Sequence, residues 1–344
     1  MEITAMNIEN YQLKDPLHFV FRLDAGSPVG NGHLVRSMVL GMELLGRGHQ
    51  VKLLSNQLPP ALQVKLREKG IAVQIISHQS DGLKEIACIH EERPVDWLVI
   101  DHYGIDFHWE KAARRFAAHI MVIDDLANRQ HDCDLLLDQN VTNRLQDQYD
   151  NLLPRQCVKA IGWSYLLARP AFYVQEMCER AGTLVFLGGG DHSSALEGLI
   201  QALLAQTELH PLKILVSSHY LPGIHWQNLI GDCGQVYCDL SDPAPLYRSA
   251  KLALVRCGFV SYELALIGVP TVHIYSSEVQ EEVARSLAHL ATGVAICEEH
   301  LTDVEEISDA MNRVSVMEPV PVNEQLSPGA LKVAHFLENF HEFR

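Results

Sequence analysis

Basic residues are scarce in this chain of 344 residues. Lysine and arginine together number 27, against 43 aspartate and glutamate residues, and the formal net charge is −16. Diffuse attraction to the phosphates of DNA or RNA needs the opposite excess, so we expect no nucleic-acid partner. An anionic ligand would instead have to be bound locally, by loop amides and helix N-termini.

Several signatures of sites and compartments are also missing. No two of the eight cysteines have the Cys-x2-Cys spacing of a zinc or redox site, which favours reduced, buried thiols. The histidine pairs lack ligand spacing as well, so we expect no metal. No apolar run reaches the roughly 18 residues of a membrane span, and the first residues lack the basic start and apolar stretch of a signal peptide. We therefore predict a cytoplasmic protein with no membrane span.

Short apolar runs alternate with longer helical patterns along the whole chain, which is typical of βαβ units with parallel sheets. Six runs in the first half and five in the second are predicted strands: HFVFRLD, QVKLLS, AVQIIS, DWLVID, HIMVID and DLLLDQ, then TLVFLGG, LKILVSS, QVYC, LALVRC and TVHIYS. Between them lie amphipathic stretches such as LVRSMVLGMELLGR. In that stretch Leu34, Met38, Met42 and Leu45 fall on one helical face.

The alternation weakens between about residues 150 and 180, and the chain is longer than one hydrophobic core usually fills. We therefore predict two α/β domains, residues 1–165 and 166–344. Both halves open with an apolar strand that runs into a glycine-rich turn, which weakly supports two similar domains facing one another. A final helical stretch, GALKVAHFLENFHEFR, is predicted to pack back on the first domain.

The stretch GSPVGNGHLVR, residues 26–36, lies between a predicted strand and a predicted helix. It lacks the third glycine of a dinucleotide-binding G-x-G-x-x-G, and no GK[ST] follows as in a Walker loop. What remains is Gly30, Gly32 and His33 at a helix start. The positive end of the helix dipole favours a neutral His33, which can take a proton from water or a hydroxyl. The alternative is a histidine that caps the helix or bonds to a loop carbonyl.

Polar clusters follow several predicted strands. They are Asp101-His102-Tyr103, Asp124-Asp125, Asp138-Gln139-Asn140 and the run from Gly188 to Asp191. The carboxyl ends of parallel strands line the ligand crevice in α/β folds, so we expect these clusters at its rim. Adjacent residues of an extended chain point to opposite sides, so one of Asp124 and Asp125 is expected to face the crevice alone. A turn or capping role for Asp101 and packing for Tyr103 remain as alternatives.

Two glycine turns mark the second half. In FLGGGDHSSALEG, the residues Gly189, Gly190 and Asp191 precede a helix, where glycines let a diphosphate approach the backbone closely. The alternative is a sharp strand-to-helix turn. In RCGFVSYELALIGVP, a strand, a turn at Gly258 and a short helix follow one another. Glu263, one turn into that helix, either reaches a ribose diol or is a solvated helix charge.

Five segments together carry a family resemblance: FRLDAGSPVGNGHLVR, VIDHYGID, IDDLANRQHDCDLLLDQN, GWSYLLARPAFY and FLGGGD. In order and spacing they resemble the UDP-2,4-diacetamido-2,4,6-trideoxy-β-L-altropyranose hydrolases of pseudaminic acid biosynthesis, from about residue 18 to 300. The G-x-G-H-x-x-R element with the downstream D-H-Y-G is the specific part. Such proteins look like GT-B glycosyltransferases, particularly the enzyme that adds N-acetylglucosamine to lipid I. This implies an α/β fold of two doubly wound, Rossmann-like domains facing across a cleft.

The resemblance also implies roles for the matching residues. His33 matches the general base that activates water, and Tyr103, the tyrosine of the D-H-Y-G element, is expected near the sugar as a second catalytic residue. The loop of Gly189, Gly190 and Asp191 matches the diphosphate end, and Glu263 matches the acid on the ribose. Further substrate contacts are expected from Asp24, Gly30, Gly32, Arg36, Asp101, His102, Asn140, Gly258, Phe259 and Gln280. No metal or cofactor is implied, so amides and helix ends would stabilise the leaving diphosphate.

The activity implied by the resemblance is hydrolysis of a UDP-linked 2,4-diacetamido-2,4,6-trideoxyhexose. Water would cleave the anomeric C–O bond with inversion and release UDP and the free sugar, in pseudaminic acid synthesis for flagellin glycosylation. Two alternatives remain: a UDP-sugar-dependent GT-B glycosyltransferase, in which His33 deprotonates an acceptor hydroxyl, and a catalytically silent sugar-nucleotide-binding protein. The chain departs from the family at Phe259, which cannot donate a side-chain hydrogen bond to a phosphate, although the amides of Gly258 to Ser261 remain available.

Overall fold

The computed structural model describes residues 15–26, 31–141, 147–174, 176, 178–188, 193–216, 223–301, 303–322 and 326–342. The strands in these ranges are β1 His18–Leu23, β2 Gln50–Ser55, β3 Ala72–Ile75, β4 Val95–Asp101, β5 Ala117–Ile123, β6 Leu135–Asp138, β7 Val158–Ile161, β8 Thr183–Phe186, β9 Leu212–Val216, β10 Gly234–Cys238, β11 Leu252–Arg256, β12 Thr271–Tyr275 and β13 Gly293–Cys297. The helices are α1 Gly32–Gly46, α2 Pro60–Glu68, α3 Leu83–Glu92, α4 Phe107–Ala113, α5 Ser193–Leu204, α6 Gly223–Ile230, α7 Ala244–Arg248, α8 Phe259–Leu266, α9 Glu278–Ala291, α10 Val304–Ser315 and α11 Gly329–Glu338. No helix within these ranges is long and apolar enough to cross a lipid bilayer.

The strands form two parallel sheets with the same winding. The first has the order β3-β2-β1-β4-β5-β6-β7 and the second the order β10-β9-β8-β11-β12-β13. In each sheet the first strand in sequence pairs on one side with the second strand and on the other with the fourth. The strand order therefore reverses beside β1 and beside β8, and ligands of open α/β sheets bind at such points, outside the carboxyl ends of the strands.

All eleven predicted strands form, and the predicted class of two doubly wound α/β units is confirmed. Two strands were not predicted, β7 and β13, and both lie at the far edge of their sheet. The β7 sequence VKAI carries a lysine and has only one fully buried residue, Ala160. An edge strand is covered on fewer sides than a central one, so its sequence has a weaker apolar signal.

Helix α1 is buried more widely than its amphipathic pattern predicts. Leu34 and Met38 are buried as the pattern requires, but Met42 is 37% exposed, while Leu40 and Leu44 are fully buried. The reason is α11, which packs against α1 and joins the same hydrophobic cluster from the far end of the chain. The indole of Trp97 in β4 donates a hydrogen bond to the carbonyl of Leu337 in α11, at 3.1 Å.

The segment between the two sheets, residues 162–174, packs against both of them. Leu167 belongs to the hydrophobic cluster of the first sheet, whereas Leu166 and Phe172 belong to that of the second. The backbone amide of Leu167 donates to Oε1 of Gln139, which follows β6, at 3.0 Å. This segment therefore connects the carboxyl edge of the first sheet with the core of the second.

Candidate active site

The residues of the candidate site lie at the carboxyl ends of the first sheet. His33 is the second residue of α1, which follows β1, and Asp101 is the last residue of β4. His102 and Tyr103 come directly after it, and Asp125 lies in the loop after β5. Because β1 and β4 are neighbours in the sheet, these side chains meet beside the point where the strand order reverses.

A buried ion cluster forms the base of this site. Nε and Nη2 of Arg36 donate to the two carboxylate oxygens of Asp101 at 2.8 and 2.6 Å, and Nη1 donates to Oδ2 of Asp125 at 2.9 Å. The hydroxyl of Ser37 donates to Asp101 at 2.9 Å. Asp101 is 1% exposed and Arg36 is 5% exposed. Each of these two residues is thus enclosed by its ionic partners and positions its neighbours, and the predicted substrate contacts of Arg36 and Asp101 stay predictions.

His33 is held between this cluster and an aromatic ring. Its Nδ1 lies 3.7 Å from Oδ1 of Asp101, and its ring meets the ring of Tyr103 edge-on, with the centroids 4.6 Å apart. Burial lowers the pKa of His33, although the charge of Asp101 opposes this. Among the described residues no loop carbonyl accepts from its side chain, so the capping alternative finds no support there. A neutral imidazole with Nε2 directed away from Asp101 is suited to accept a proton.

Tyr103 borders the open side of the site. Its side chain is 47% exposed, and its hydroxyl donates to Oδ2 of Asp125 at 3.1 Å. Desolvation and the carboxylate of Asp125 raise the pKa of Tyr103. The phenol therefore stays protonated and orients itself by donating to Asp125.

His102 is fixed by hydrogen bonds at both ring nitrogens. The amide of Gly104 donates to Nδ1 at 3.0 Å, so the ring proton is on Nε2, which donates to Oδ2 of Asp24 at 3.1 Å. Burial acts to raise the pKa of Asp24, but the hydrogen bond from His102 and the charge of Arg22 hold it well below its ordinary value. The Oδ1 atom of Asp24 also accepts from Arg22 and from the amide of Asn56. Asp24 is thus an ionised anchor that orients His102.

Only one carboxylate of the Asp124-Asp125 pair faces the site, which confirms the prediction from strand geometry. Asp124 is buried, accepts from the guanidinium of Arg129 at 2.7 Å and caps the turn that follows it. Asp125 turns the other way, toward Arg36 and Tyr103.

Asn140 joins the first sheet to helix α8 of the second. Its Nδ2 donates to the backbone carbonyl of Asp125 at 3.3 Å, and its Oδ1 accepts from the hydroxyl of Tyr262 at 2.8 Å. Both ends of the amide are therefore engaged with protein. Asn140 thus bridges the two halves of the molecule, and its predicted substrate contact stays a prediction.

The predicted residues of the second half lie at the carboxyl ends of β11 and β12. Gly258 is exposed, and a Cβ there would meet no described heavy atom within 4 Å, as is also true of Gly32. Phe259 packs partly buried against the core of the second sheet. In the first turn of α9, Oε1 of Gln280 accepts from the amide and hydroxyl of Ser276, both at 2.9 Å.

Glu263 is fully buried in α8, so the alternative of a solvated helix charge is wrong. Arg169, in the segment between the sheets, donates to both of its carboxylate oxygens at 2.6 Å. A ribose contact for Glu263 stays a prediction. The candidate diphosphate loop of Gly189, Gly190 and Asp191 lies outside the described residues, as does Gly30.

Three partners of the site were not predicted. They are Ser37, Arg169 and Tyr262, which contact Asp101, Glu263 and Asn140 respectively. Ser37 and Tyr262 are sequence neighbours of the predicted residues Arg36 and Glu263, and Arg169 lies within the segment GWSYLLARPAFY. Proximity in sequence was thus a usable signal, but the contacts themselves span 64 to 122 residues.

One set of metal-type ligands is close together in the described part of the chain: His300, Asp303 and Glu306. His300 and Asp303 are exposed and Glu306 is half-buried, and the set lies around the start of α10, remote in sequence from the candidate site. Asp303 caps this helix, and Glu306 is paired with His300 at 2.6 Å, so the cluster has a structural explanation.

Beneath the site, the hydroxyl of Tyr149 lies 3.0 Å from both Asp124 and Asp138. Burial raises the pKa of Asp138 to about 7. A protonated Asp138 can donate to Tyr149 while Tyr149 donates to Asp124, so these three side chains form one continuous series of hydrogen bonds. Tyr149 itself has a raised pKa through burial and the two carboxylates, and it keeps its proton.

We predict that Asp138→Asn flattens the dependence of stability on pH. Between about pH 4 and 7 the carboxyl of Asp138 keeps its proton in the folded state but has lost it in the unfolded state. As the pH rises through this window, this group therefore lowers the free energy of unfolding by about 1.4 kcal/mol per pH unit. Asparagine can donate to Tyr149 at every pH and lacks this slope. Urea unfolding at pH 5, 6, 7 and 8 measures it, with the exposed Asp150→Asn as control. Parallel slopes for wild type and Asp138→Asn would contradict the prediction.

Comparison with known proteins shows both a sequence relative and structural neighbours. No protein-family model matches the chain. It is 25% identical over 272 residues, 78% of this chain and 95% of the other, to the UDP-2,4-diacetamido-2,4,6-trideoxy-beta-L-altropyranose hydrolase of Campylobacter jejuni subsp. jejuni. The MurG structure from Acinetobacter baumannii superposes with a TM-score of 0.60 at 15% identity, covering 94% of this chain and 99% of that one. The glycotransferase of kitacinnamycin does so with a TM-score of 0.62 at 17% identity and the same coverage. The resemblance drawn from the motifs is thus confirmed: this chain has the two-domain GT-B-like fold and is similar in sequence to a UDP-diacetamido-sugar hydrolase.

Proposed function

We propose that this protein hydrolyses a UDP-linked 2,4-diacetamido-2,4,6-trideoxyhexose to UDP and the free sugar. The observation that carries the proposal is the neutral, buried His33 beside Asp101 and Tyr103, at the carboxyl ends of β1 and β4. It occurs in a chain that is similar along most of its length to a hydrolase of such a UDP-sugar. By the same resemblance, we place the reaction in pseudaminic acid biosynthesis, for flagellin glycosylation.

The reaction is a substitution at the anomeric carbon. The oxygen of water attacks that carbon on the face opposite the UDP oxygen, and one proton of the water passes to Nε2 of His33. The C–O bond to UDP breaks, and its electron pair leaves with the β-phosphate oxygen. A single displacement inverts the anomeric configuration. The products are UDP, the free sugar and a proton, which His33 later returns to solvent.

The leaving diphosphate would be stabilised by the second domain without a metal or cofactor. Helix α8 begins after the exposed Gly258, and no side chain caps its N-terminus. The amide of Ser261 donates to the carbonyl of Gly258 at 3.0 Å, so a phosphate contact would use the amides of Phe259 and Val260, and the helix dipole favours the negative charge that develops there. The side chain of Phe259 packs against the core and supplies no donor, so this contact would rest on the backbone alone.

The decisive experiment is acceptor-free turnover followed by NMR of the anomeric protons. The purified protein is incubated with UDP-diacetamido sugars in ¹⁸O-labelled water. We expect free sugar of inverted configuration, with the label on the sugar and none on UDP. Label on the phosphate would show cleavage at phosphorus and contradict the proposal.

A glycosyltransferase is the second candidate, because the structural neighbours above are named as a transferase and MurG. In that case His33 would deprotonate a sugar or lipid hydroxyl, and free sugar would not form until an acceptor was added. A protein that binds UDP but gives no turnover with or without acceptors would instead be a silent sugar-nucleotide-binding protein.

The pH dependence of kcat/KM gives a further prediction. A general base must be neutral, and burial lowers the pKa of His33 from its ordinary value of 6.5. We therefore expect activity to persist below pH 6.5 and to fall only when His33 is finally protonated. Steady-state rates between pH 4.5 and 8.5 measure the acid limb of the pH profile, which is the range in which kcat/KM falls as the pH is lowered. An acid limb centred above pH 6.5 would contradict a buried, neutral His33.

A further inference from the structure

The ion cluster around His33 is not balanced in charge. It contains two carboxylates, Asp101 and Asp125, and one guanidinium, Arg36, which bonds to both. His102 and Tyr103 also face His33, but His102 is paired with Asp24 and Tyr103 is a neutral phenol. The three charged members together carry one net negative charge while His33 is neutral.

The excess charge is concentrated on Asp125. Both oxygens of Asp101 accept from Arg36, and Ser37 adds a third bond. In Asp125, Oδ2 accepts from both Arg36 and Tyr103, whereas Oδ1 is buried and has no hydrogen-bond partner in the described part of the chain. Its side chain is 17% exposed against 1% for Asp101, so Asp125 lies on the open side of the cluster.

The backbone of Asp125 is held from the second half of the molecule. Its carbonyl accepts from Asn140, which in turn accepts from Tyr262 in α8. Tyr262 is buried and packs with its ring 5.7 Å from that of Trp163, between the two sheets. The backbone of Asp125 is therefore tied to α8 through Asn140, and its carboxylate is oriented by Arg36 and Tyr103.

We propose that Asp125 is a positioning residue that stabilises the protonated form of His33 during the reaction and holds the phenol of Tyr103 against the imidazole ring. This inference rests on the proposed function, in which His33 takes a proton from water. Before the transfer the cluster and His33 together carry one net negative charge, and after it they are neutral. Charge interactions are stronger in a partly buried site than in water, so the neutral product of the transfer is favoured.

The test is Asp125→Asn, which keeps the shape of the side chain and removes its charge. We expect kcat to fall by about 10²-fold, the size of effect seen when one electrostatic partner of a transition state is lost, with KM changed much less. Without the negative charge His33 is a weaker base, so the acid limb of the kcat profile moves to lower pH. Asp309→Asn, an exposed carboxylate in α10, is the control for the same change in net charge and leaves kcat and the limb unchanged.

Tyr103→Phe separates charge from hydrogen bonding. It removes the bond to Asp125 but leaves the carboxylate, so the acid limb does not move down even if kcat falls. A limb that moves equally in Tyr103→Phe and Asp125→Asn, or that stays in place in Asp125→Asn, would overturn the proposal. If Asp125→Asn does not fold, Asp125→Ser removes the same charge with a smaller side chain and is judged by the same limb.

A titration of His33 by NMR makes the result independent of turnover. The ring proton signal of His33 is assigned by comparison with His33→Asn and followed against pH in wild type and Asp125→Asn. A lower pKa in the variant supports the role of Asp125 even if no UDP-sugar is hydrolysed, in which case the proposed function alone fails. An unchanged pKa refutes the role of Asp125, whatever the activity.

Discussion

His33→Asn is expected to lower the rate of UDP release by about 10²- to 10⁴-fold, the usual contribution of a general base. Asparagine is polar and of similar size, but it cannot accept a proton at neutral pH. His33 makes no hydrogen bond to another described side chain, and its contacts are the 3.7 Å approach to Asp101 and the edge of the Tyr103 ring. The replacement therefore removes the base without leaving a charged group unpaired.

Two further measurements complete this test. Calorimetric titration with UDP is expected to give a nearly unchanged Kd, because we propose that the nucleotide binds to the other domain, and thermal unfolding is expected to change little. His108→Asn, an exposed histidine in α4, is the matched control and should retain full turnover. If His33→Asn released UDP at the wild-type rate, the role of His33 would be wrong.

Arg36→Met is expected to destabilise the protein by about 3–5 kcal/mol and to abolish turnover. Methionine fills similar space but leaves Asp101 and Asp125 close together without their shared cation, and Asp101 is 1% exposed. Removing one partner of a buried ion pair leaves an uncompensated buried charge, which is the costly case. Urea unfolding at pH 7 measures the loss.

Arg114→Met is the matched control for this variant. Arg114 also pairs with two carboxylates, Asp132 and Asp134, but its side chain is 29% exposed. Water can partly replace its contacts, so we expect a smaller loss of stability and unchanged turnover. Equal losses in the two variants would show that burial of the Arg36 cluster is not what makes it important.

We expect the stability of Arg36→Met to be partly restored at lower pH and not to be restored at higher pH. Burial acts to raise the pKa of Asp101, while Arg36 and His33 lower it in the intact protein. Without Arg36 this carboxyl is expected to bind a proton more readily, which removes the unpaired charge. The deficit in unfolding free energy relative to wild type should therefore shrink as the pH falls from 7 to 5.

Local sequence patterns were sufficient for the fold class and for the place of the site. Apolar runs of strand length are local features, and they predict eleven of the thirteen strands found in the described residues. The polar groups at the ends of β1, β4 and β5 also converge as predicted, since neighbouring parallel strands end at one edge of the sheet. His33 and Tyr103 come into contact for this reason alone.

The hydrogen-bond and ionic partners of each polar residue in the site could not be predicted from local sequence patterns. For Arg36, Asp101 and Asn140 the sequence predicted substrate contacts, but it did not predict the hydrogen bonds that these side chains make to other parts of the protein. The position of a residue in the sequence predicts that its side chain lies near the carboxyl ends of the strands. It does not predict whether a residue distant in sequence forms a hydrogen bond or an ion pair with it. Glu263 is a further example, because its partner Arg169 lies 94 residues away.

The two parallel sheets, the polar groups at their carboxyl ends and the histidine at the start of α1 could be predicted from the sequence, because each depends on residues close together in the chain. The structure was needed to show that Met42 faces solvent, that Asp125 rather than Asp124 faces His33, and that Tyr262 reaches Asn140 across the two halves. Those outcomes depend on which distant segments pack together. The packing of distant segments decides which partners surround a charged or polar side chain, and these partners determine its charge, its orientation and its exposure to solvent.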